Sequence, residues 1–127
     1  MSNRSTVLLV EDDPDLRRFA QVTLRLGGYR PLIAADGETG LALARKARPQ
    51  LMVLDLRLPE LDGWQVLQAL RATPETAELP VLVLTASAGP ADKDRTLAAG
   101  VAGYLVKPVS ADALLDAVER ALARGSA

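Results

Sequence analysis

The sequence predicts an α/β fold in which a five-stranded parallel sheet is covered by helices on both faces. Five short apolar segments alternate with five longer segments whose apolar residues recur at helical spacing. The central segment, Leu51–Leu54, is apolar at every position, as expected of a strand buried on both faces. Short loops join the segments, and 127 residues suffice for one domain with a substantial core.

The predicted strands are apolar segments of three to five residues. In chain order they are Thr6–Val10, Arg30–Ala34, Leu51–Leu54, Val81–Leu84 and Tyr104–Val106. Connections between parallel strands are expected to be right-handed crossovers. In such a sheet the carboxyl ends of the strands share one edge, where open α/β sheets bind ligands.

The predicted helices are marked by capping residues as well as by periodicity. Asp13 is an N-cap acceptor, and Pro14 suits the first helical position. Asp36 and Asp62 each precede a glycine and are interpreted as turn or cap residues, and Ser110 as the cap of the last helix. The fourth helix is predicted at Ala91–Ala99. The apolar faces of the other helices comprise Leu16, Phe19, Ala20, Thr23 and Leu24; Leu41, Ala44 and Ala47; Trp64, Leu67 and Leu70; and Leu114, Val118 and Leu122.

Composition excludes several classes of function. The chain has no cysteine and no histidine, which removes thiolate chemistry and the commonest general base and transition-metal ligand. The net charge of −1 argues against a dedicated nucleic-acid surface, which would need a basic excess. No signal peptide and no apolar run of membrane-spanning length are visible, so we expect a cytoplasmic protein that contacts no membrane.

Polar residues stand at the carboxyl ends of four predicted strands. Glu11 and Asp12 follow the first strand, Asp55 the third, Thr85 the fourth and Lys107 the fifth. Because these ends lie at one edge of a parallel sheet, we expect the side chains to converge there. Thr85 taken alone is also compatible with a plain strand residue, since threonine favours strands.

This combination favours phosphoryl transfer. Three carboxylates at one edge need a cation, and oxygen ligands without histidine or cysteine select a hard ion such as Mg²⁺ or Mn²⁺. Lys107 adds a second positive charge and Thr85 a hydroxyl donor. A metal, an ammonium and a hydroxyl around a carboxylate nucleophile suit transfer of a phosphoryl group to Asp55.

Four segments make the chain resemble the receiver domain of two-component response regulators, the CheY-like family. They are VLLVEDDPDLR, LMVLDLRLPELDG, PVLVLTA and GYLVKP, which occur in the family's order and spacing. The resemblance runs from about Thr6 to Leu122, so the whole chain, 1–127, is expected to be a single receiver domain. It implies the flavodoxin-like strand order 2-1-3-4-5.

The resemblance also implies roles for individual residues. Asp55 would be the phosphoacceptor, and Thr85 and Lys107 would contact the phosphoryl group. Asp12 would bind the metal directly, Glu11 mainly through water, and Arg57 through its backbone carbonyl. Glu11 stands where the family more often has aspartate.

Further residues are expected to control the switch and its lifetime. Tyr104 resembles the aromatic switch residue that acts with Thr85, although it would also suit simple packing. The Lys107–Pro108 bond is cis in the family. Arg57 and Ser87, each two residues beyond a site residue, are expected to flank the path of the hydrolytic water, with Arg57 shielding the phosphoryl group.

The predicted function is a phosphorylation-controlled switch rather than an enzyme. A histidine kinase or histidine phosphotransfer protein would donate the phosphoryl group, small donors would substitute for it, and slow self-dephosphorylation would reset the domain. An unidentified partner would receive the output, with no direct contact to nucleic acid. Two alternatives are a Mg²⁺-dependent phosphatase with an aspartate nucleophile and a flavin- or nucleotide-binding module. The first would need a second acid and usually a cap domain, and the second a loop that does not repel phosphate, unlike Glu11–Pro14.

Overall fold

Strands and helices alternate in a computed structural model that describes residues 5–58, 60–86 and 89–126. The strands are β1 (Thr6–Val10), β2 (Arg30–Ala34), β3 (Leu51–Asp55), β4 (Val81–Thr85) and β5 (Gly103–Val106). The helices are α1 (Pro14–Leu26), α2 (Gly37–Ala47), α3 (Gly63–Ala72), α4 (Pro90–Ala98) and α5 (Ala111–Ser126).

The five strands form one parallel sheet in the order β2-β1-β3-β4-β5. The predicted fold class and strand order are therefore confirmed. Two strands extend one residue beyond their apolar segments, because Asp55 and Thr85 still pair with Leu84 and Val106 on the neighbouring strands. Both polar side chains are thereby held by the sheet itself.

Each face of the sheet carries its own apolar core, because successive strand residues point to opposite faces. On β3, Met52 and Leu54 belong to one core, and Leu51 and Val53 to the other. The first core includes side chains of α2 and α3 and the second those of α1 and α5. All five residues of β3 are buried, which explains why this strand has no polar position before its last residue.

The start of α3 is pressed against the end of β3. The amide of Gly63 donates to the carbonyl oxygen of Leu56 at 2.9 Å. A Cβ atom at Gly63 would lie 2.6 Å from the carbonyl oxygen of Asp55, so a side chain does not fit here without movement of the backbone. Glycine at this position therefore lets the helix close tightly over the loop that follows Asp55.

Helix α4 is tied to α3 by a cation–π contact. The guanidinium carbon of Arg95 lies 3.9 Å from the centre of the Trp64 ring. The Trp64 side chain is half-buried beneath this arginine. The fluorescence of Trp64 should therefore be sensitive to the position of α4.

In the described parts of the chain, no helix is both long and apolar enough to cross a bilayer.

Candidate functional site

The residues that were predicted from the sequence to meet at the carboxyl edge of the sheet lie there. Glu11 follows β1, Asp55 ends β3, Thr85 ends β4 and Lys107 follows β5. Glu11, Asp55 and Thr85 are at most 3% exposed, whereas the side chain of Lys107 is 23% exposed. Buried polar side chains of this kind need partners, because burying them unpaired is costly.

Lys107 supplies a positive charge to two of these buried groups. Its ammonium donates a hydrogen bond to Oδ2 of Asp55 at 2.9 Å and lies 3.0 Å from Oε1 of Glu11. Burial opposes the charge on Lys107, but the contacts with Asp55 and Glu11 outweigh it and raise the pKa of the ammonium above its ordinary value. Lys107 therefore remains charged and joins the end of β5 to β3 and to the loop after β1.

Asp55 is held at both carboxylate oxygens. Lys107 occupies Oδ2, and the backbone amide of Arg57 donates to Oδ1 at 2.9 Å. The arginine side chain itself is exposed. A charged donor and a backbone amide fix the orientation of the carboxylate at the carboxyl edge of the sheet.

Glu11 is the second buried acid of the site, beside Asp55. Its Oε2 accepts from the amide of Asp13 at 3.0 Å, but no donor among the described residues meets Oε1 at hydrogen-bonding geometry, so the contact with Lys107 is an ion pair only. Burial is the largest influence and outweighs the amide of Asp13 and the ammonium of Lys107, so that the pKa of Glu11 rises from 4.5 to about 7. A further cation at Oε1 would stabilise the charged form.

Asp12 completes a group of three carboxylates. Oxygen atoms of Glu11, Asp12 and Asp55 lie within 4.8 Å of one another, and Asp12 is exposed. Three carboxylates and one ammonium leave an excess of negative charge, and Oε1 of Glu11 lacks a hydrogen-bond donor among the described residues. An all-oxygen donor set with this charge fits a hard divalent cation such as Mg²⁺.

Thr85 and Lys107 are also joined through the backbone, since the amide of Lys107 donates to the carbonyl oxygen of Thr85 at 2.8 Å. Tyr104 is half-buried and packs against the core that includes side chains of α2 and α3. The Lys107–Pro108 peptide bond is cis. Ser87, which is expected to flank the path of the hydrolytic water, lies outside the described residues.

The remaining aspartates that the sequence interpreted as caps do cap helices. Asp13 accepts from the amide of Asp15 at 2.9 Å, and Asp36 from that of Thr39 at 2.8 Å. Asp62 accepts from the amide of Gln65 at 2.9 Å in a reciprocal capping box. None of the three belongs to the carboxylate cluster.

Sequence reasoning missed Arg17, which contacts the backbone of the acidic loop. Its Nη1 donates to the carbonyl oxygens of Glu11 at 3.1 Å and Asp12 at 2.8 Å. One signal was present in the sequence. A cation near the start of a helix is disfavoured by the helix dipole, which suggests a specific partner for it.

Comparison with known proteins identifies the family. Residues 7–119 match the response regulator receiver domain. The DNA-binding dual master transcriptional regulator RpaA of Synechocystis is 39% identical over 118 residues, which cover 93% of this chain and 49% of the regulator. The chain thus spans about half the length of the curated relatives it matches.

Two solved structures extend the comparison. Chemotaxis protein CheY4 of Vibrio cholerae is 34% identical with a TM-score of 0.88, covering 94% of this chain and 99% of that one. The receiver domain of sensor histidine kinase PA1611 from Pseudomonas aeruginosa is 33% identical with a TM-score of 0.86, covering 95% and 99% of the two chains, and it holds a magnesium ion in its active-site cleft.

These findings decide between the interpretations of the sequence. They favour the receiver domain over the phosphatase and the flavin- or nucleotide-binding module. They do not support the expectation that the protein makes no direct contact with nucleic acid, because a relative is named as a DNA-binding regulator. The chain belongs to the response regulator receiver domain family, the phosphorylation-controlled switches of two-component signalling.

Proposed function

We propose that Asp55 is the phosphoacceptor through which this receiver domain is switched. The observation that carries the proposal is the placement of Asp55. Its carboxylate is fixed between the Lys107 ammonium and the Arg57 amide, with Glu11 and Asp12 beside it. A carboxylate nucleophile with cationic and amide donors around it is suited to accept a phosphoryl group.

We further propose that the site takes Mg²⁺, or Mn²⁺. Asp12, Asp55 and the backbone carbonyl of Arg57 would hold the ion, and Glu11 would act mainly through water. The cluster of three carboxylates and the unsatisfied Oε1 of Glu11 support this assignment. When bound, the ion neutralises charge on the phosphoryl oxygens and on the reacting carboxylate.

The chain's own residues supply the remaining parts of the transfer. A carboxylate oxygen of Asp55 attacks phosphorus, and the bond from phosphorus to the donor atom breaks. With a phosphohistidine donor, the released ring nitrogen takes up a proton, and Asp55 becomes an acyl phosphate. In the unphosphorylated domain the Lys107 ammonium lies 2.9 Å from Oδ2 of Asp55. It would therefore be within reach of the new phosphoryl oxygens, and the hydroxyl of Thr85 would donate to another of them.

Phosphorylation would reach the rest of the domain through Thr85 and Tyr104. Thr85 ends β4, and Tyr104 lies on β5, the strand that pairs with β4. Movement of the Thr85 hydroxyl toward the phosphoryl group would change the space available to the Tyr104 ring, which biases a two-state surface. Hydrolysis of the acyl phosphate resets the domain, and Arg57 and Ser87 would tune its rate.

The partners follow from this chemistry. We propose a histidine kinase or histidine phosphotransfer protein as the physiological donor and autophosphorylation from small donors, with a cytoplasmic location and an output partner still to be identified. The residues 1–127 are proposed to form a single receiver domain with its core between about Thr6 and Leu122. Contact with DNA by the protein that contains this domain is a further proposal, supported by the named function of RpaA.

The test is intact-mass measurement of the chain after incubation with acetyl phosphate or phosphoramidate. We expect the addition of one phosphoryl group with Mg²⁺ and none with EDTA. The added group should be removed by hydroxylamine, because an acyl phosphate reacts with this nucleophile whereas a phosphate ester does not. An adduct that forms equally in EDTA, or that resists hydroxylamine, would contradict the proposal.

A further inference from the structure

Arg17 contacts three successive carbonyl groups of the acidic loop, Glu11–Asp13. Its backbone amide donates to the carbonyl oxygen of Asp13 at 2.9 Å, as the first turn of α1 requires. Its side chain reaches back, and Nη1 donates to the carbonyl oxygens of Glu11 and Asp12 at 3.1 and 2.8 Å. One residue therefore fixes three consecutive peptide groups next to the site.

The side-chain contacts are not those of an ordinary helix cap. Asp13 already caps α1. The carbonyl groups that Arg17 binds precede the helix, and a cation this close to a helix N-terminus is opposed by the helix dipole. Arg18, the next residue, is exposed, whereas Arg17 is half-buried. The specific contacts of Arg17 therefore require an explanation beyond the stability of α1.

We propose that Arg17 is a positioning residue that orders the acidic loop for the divalent cation. This inference rests on the proposed function and adds to it the part of the chain that prepares the metal site. The peptide groups on either side of Asp12 both accept from Nη1 of Arg17. Because these two peptide planes determine the backbone dihedrals of Asp12, they also determine the direction in which its exposed side chain leaves the chain.

The rest of the loop is fixed by contacts that leave Asp12 dependent on Arg17. The amide of Glu11 donates to the carbonyl oxygen of Ala34 at 3.1 Å, and the amide of Asp13 to Oε2 of Glu11 at 3.0 Å. The second contact also holds the peptide group between Asp12 and Asp13, to which the amide of Asp13 belongs. The peptide group between Glu11 and Asp12 is held at its carbonyl oxygen by Arg17. Without Arg17, this peptide group would sample more conformations, and cation binding would have to order it at a cost in entropy.

The charge of Arg17 acts in the opposite direction, because a guanidinium near the cluster repels a divalent cation. The two effects have opposite signs and can be separated by experiment. We expect ordering to dominate, because the repulsion is screened by water at an edge of the sheet that is open to solvent. Loss of contacts that orient a metal ligand typically weakens metal affinity by about tenfold or more.

Calorimetric titration with Mg²⁺ tests the inference on four proteins, namely the parent, Arg17→Gln, Arg17→Lys and Arg18→Gln. Arg18→Gln is the matched control, since it removes the same charge from the adjacent residue without touching the loop. We expect Arg17→Gln to bind Mg²⁺ about tenfold more weakly than the parent. Arg18→Gln should bind at least as tightly as the parent, and urea unfolding would show that each variant is folded under the titration conditions.

A second readout separates positioning from a general loss of structure. In phosphorylation by acetyl phosphate, Arg17→Gln should need about tenfold more Mg²⁺ for half-maximal rate, but reach a rate near that of the parent at saturation. If Arg17→Gln does not fold, the Mg²⁺ affinity of Arg17→Lys tests the proposal instead. Its shorter side chain retains the charge without spanning both carbonyl groups, so its Mg²⁺ affinity should fall severalfold.

The results that would contradict the role of Arg17 differ from those that would contradict the proposed function. Unchanged or tighter Mg²⁺ binding in folded Arg17→Gln, or parent-like binding in Arg17→Lys if the glutamine variant is unfolded, would overturn the role of Arg17. A lower urea midpoint of an Arg17 variant with unchanged Mg²⁺ affinity would show that Arg17 contributes only to stability, and this result would also overturn its positioning role. Absence of Mg²⁺ binding by the parent would instead refute the magnesium site itself.

Discussion

The Lys107 ammonium lies 3.0 Å from Oε1 of Glu11, an oxygen that meets no hydrogen-bond donor of suitable geometry among the described residues. The same ammonium donates to Oδ2 of Asp55 at 2.9 Å. One cation thus serves two buried carboxylates and favours the one to which it is hydrogen-bonded. Glu11 is left as the carboxylate with capacity for another positive charge.

The stability of the metal-free domain should therefore depend on the protonation of Glu11. Its pKa is raised to about 7 in the folded state, so the folded protein retains a proton that the unfolded chain has lost above about pH 4.5. The unfolding free energy should fall as pH rises from about 5 to about 7 and then level off, a loss of up to about 3 kcal/mol. Urea unfolding in EDTA at a series of pH values measures this loss of unfolding free energy.

Two controls isolate the contribution of Glu11 to this pH dependence. Glu11→Gln should remove that part of the slope, whereas Glu38→Gln, at an exposed acid of α2, should not. Saturating Mg²⁺ should also reduce the slope, because a cation favours the ionised carboxylate. An identical pH dependence in Glu11→Gln and the parent would show that Glu11 does not titrate in this range.

Magnesium affinity should depend more on Asp12 than on Glu11. A directly bound carboxylate loses more on neutralisation than one that acts through water, and Glu11 already faces Lys107. Asp12→Asn should nearly abolish Mg²⁺ binding and Glu11→Gln should weaken it, as followed by Trp64 fluorescence or calorimetry. Asp15→Asn, at an exposed acid of α1, controls for charge. Equal affinity in Asp12→Asn and the parent would rule out the direct role of Asp12.

Thr85 should couple phosphorylation to Tyr104. Removal of the hydroxyl in Thr85→Ala should leave phosphorylation possible but weaken the response of the Tyr104 ring, while Thr85→Ser keeps the hydroxyl and should behave like the parent. NMR shifts near Tyr104 on addition of beryllofluoride, a phosphoryl mimic, provide the measurement. If Thr85→Ala shows the parent's shifts there, the coupling follows another route.

Arg57 should lengthen the life of the phosphorylated state. Its amide binds Asp55 and its side chain is exposed, so that this long group can lie across the phosphoryl oxygens and exclude the in-line water. We expect the parent to remain phosphorylated severalfold longer than Arg57→Ala, measured by phosphate release after removal of the donor. Arg57→Met retains bulk without charge and should hydrolyse at nearly the parent's rate if shielding is steric. If the phosphorylated parent hydrolyses as fast as Arg57→Ala, or faster, Arg57 does not shield the phosphoryl group.

The sheet edge could be predicted from the sequence because it depends on local patterns. Apolar strands locate the carboxyl ends of the sheet, and four of the five ends bring a polar residue, so the meeting of Asp55, Glu11 and Lys107 follows from topology. Asp13, Asp36 and Asp62 were separated from the site for a similar reason, since each is adjacent to a residue that marks a helix start.

The contacts that could not be predicted are made by long side chains between elements. Arg17 reaches back from α1 to the preceding loop, and Arg95 of α4 covers Trp64 of α3. A flexible side chain has many rotamers, so its partner depends on how the helices are placed and not on spacing along the chain. The ion pair of Glu11 with Lys107 depends in the same way on the reach of a glutamate.

The most direct measurement is intact-mass analysis of Asp55→Asn beside the parent, with acetyl phosphate and Mg²⁺. Asp112→Asn, at an exposed aspartate in the first turn of α5, serves as the matched control. The parent and Asp112→Asn should each gain one phosphoryl group, and Asp55→Asn should gain none. Phosphorylation of Asp55→Asn to the same extent as the parent would show that Asp55 is not the phosphoacceptor.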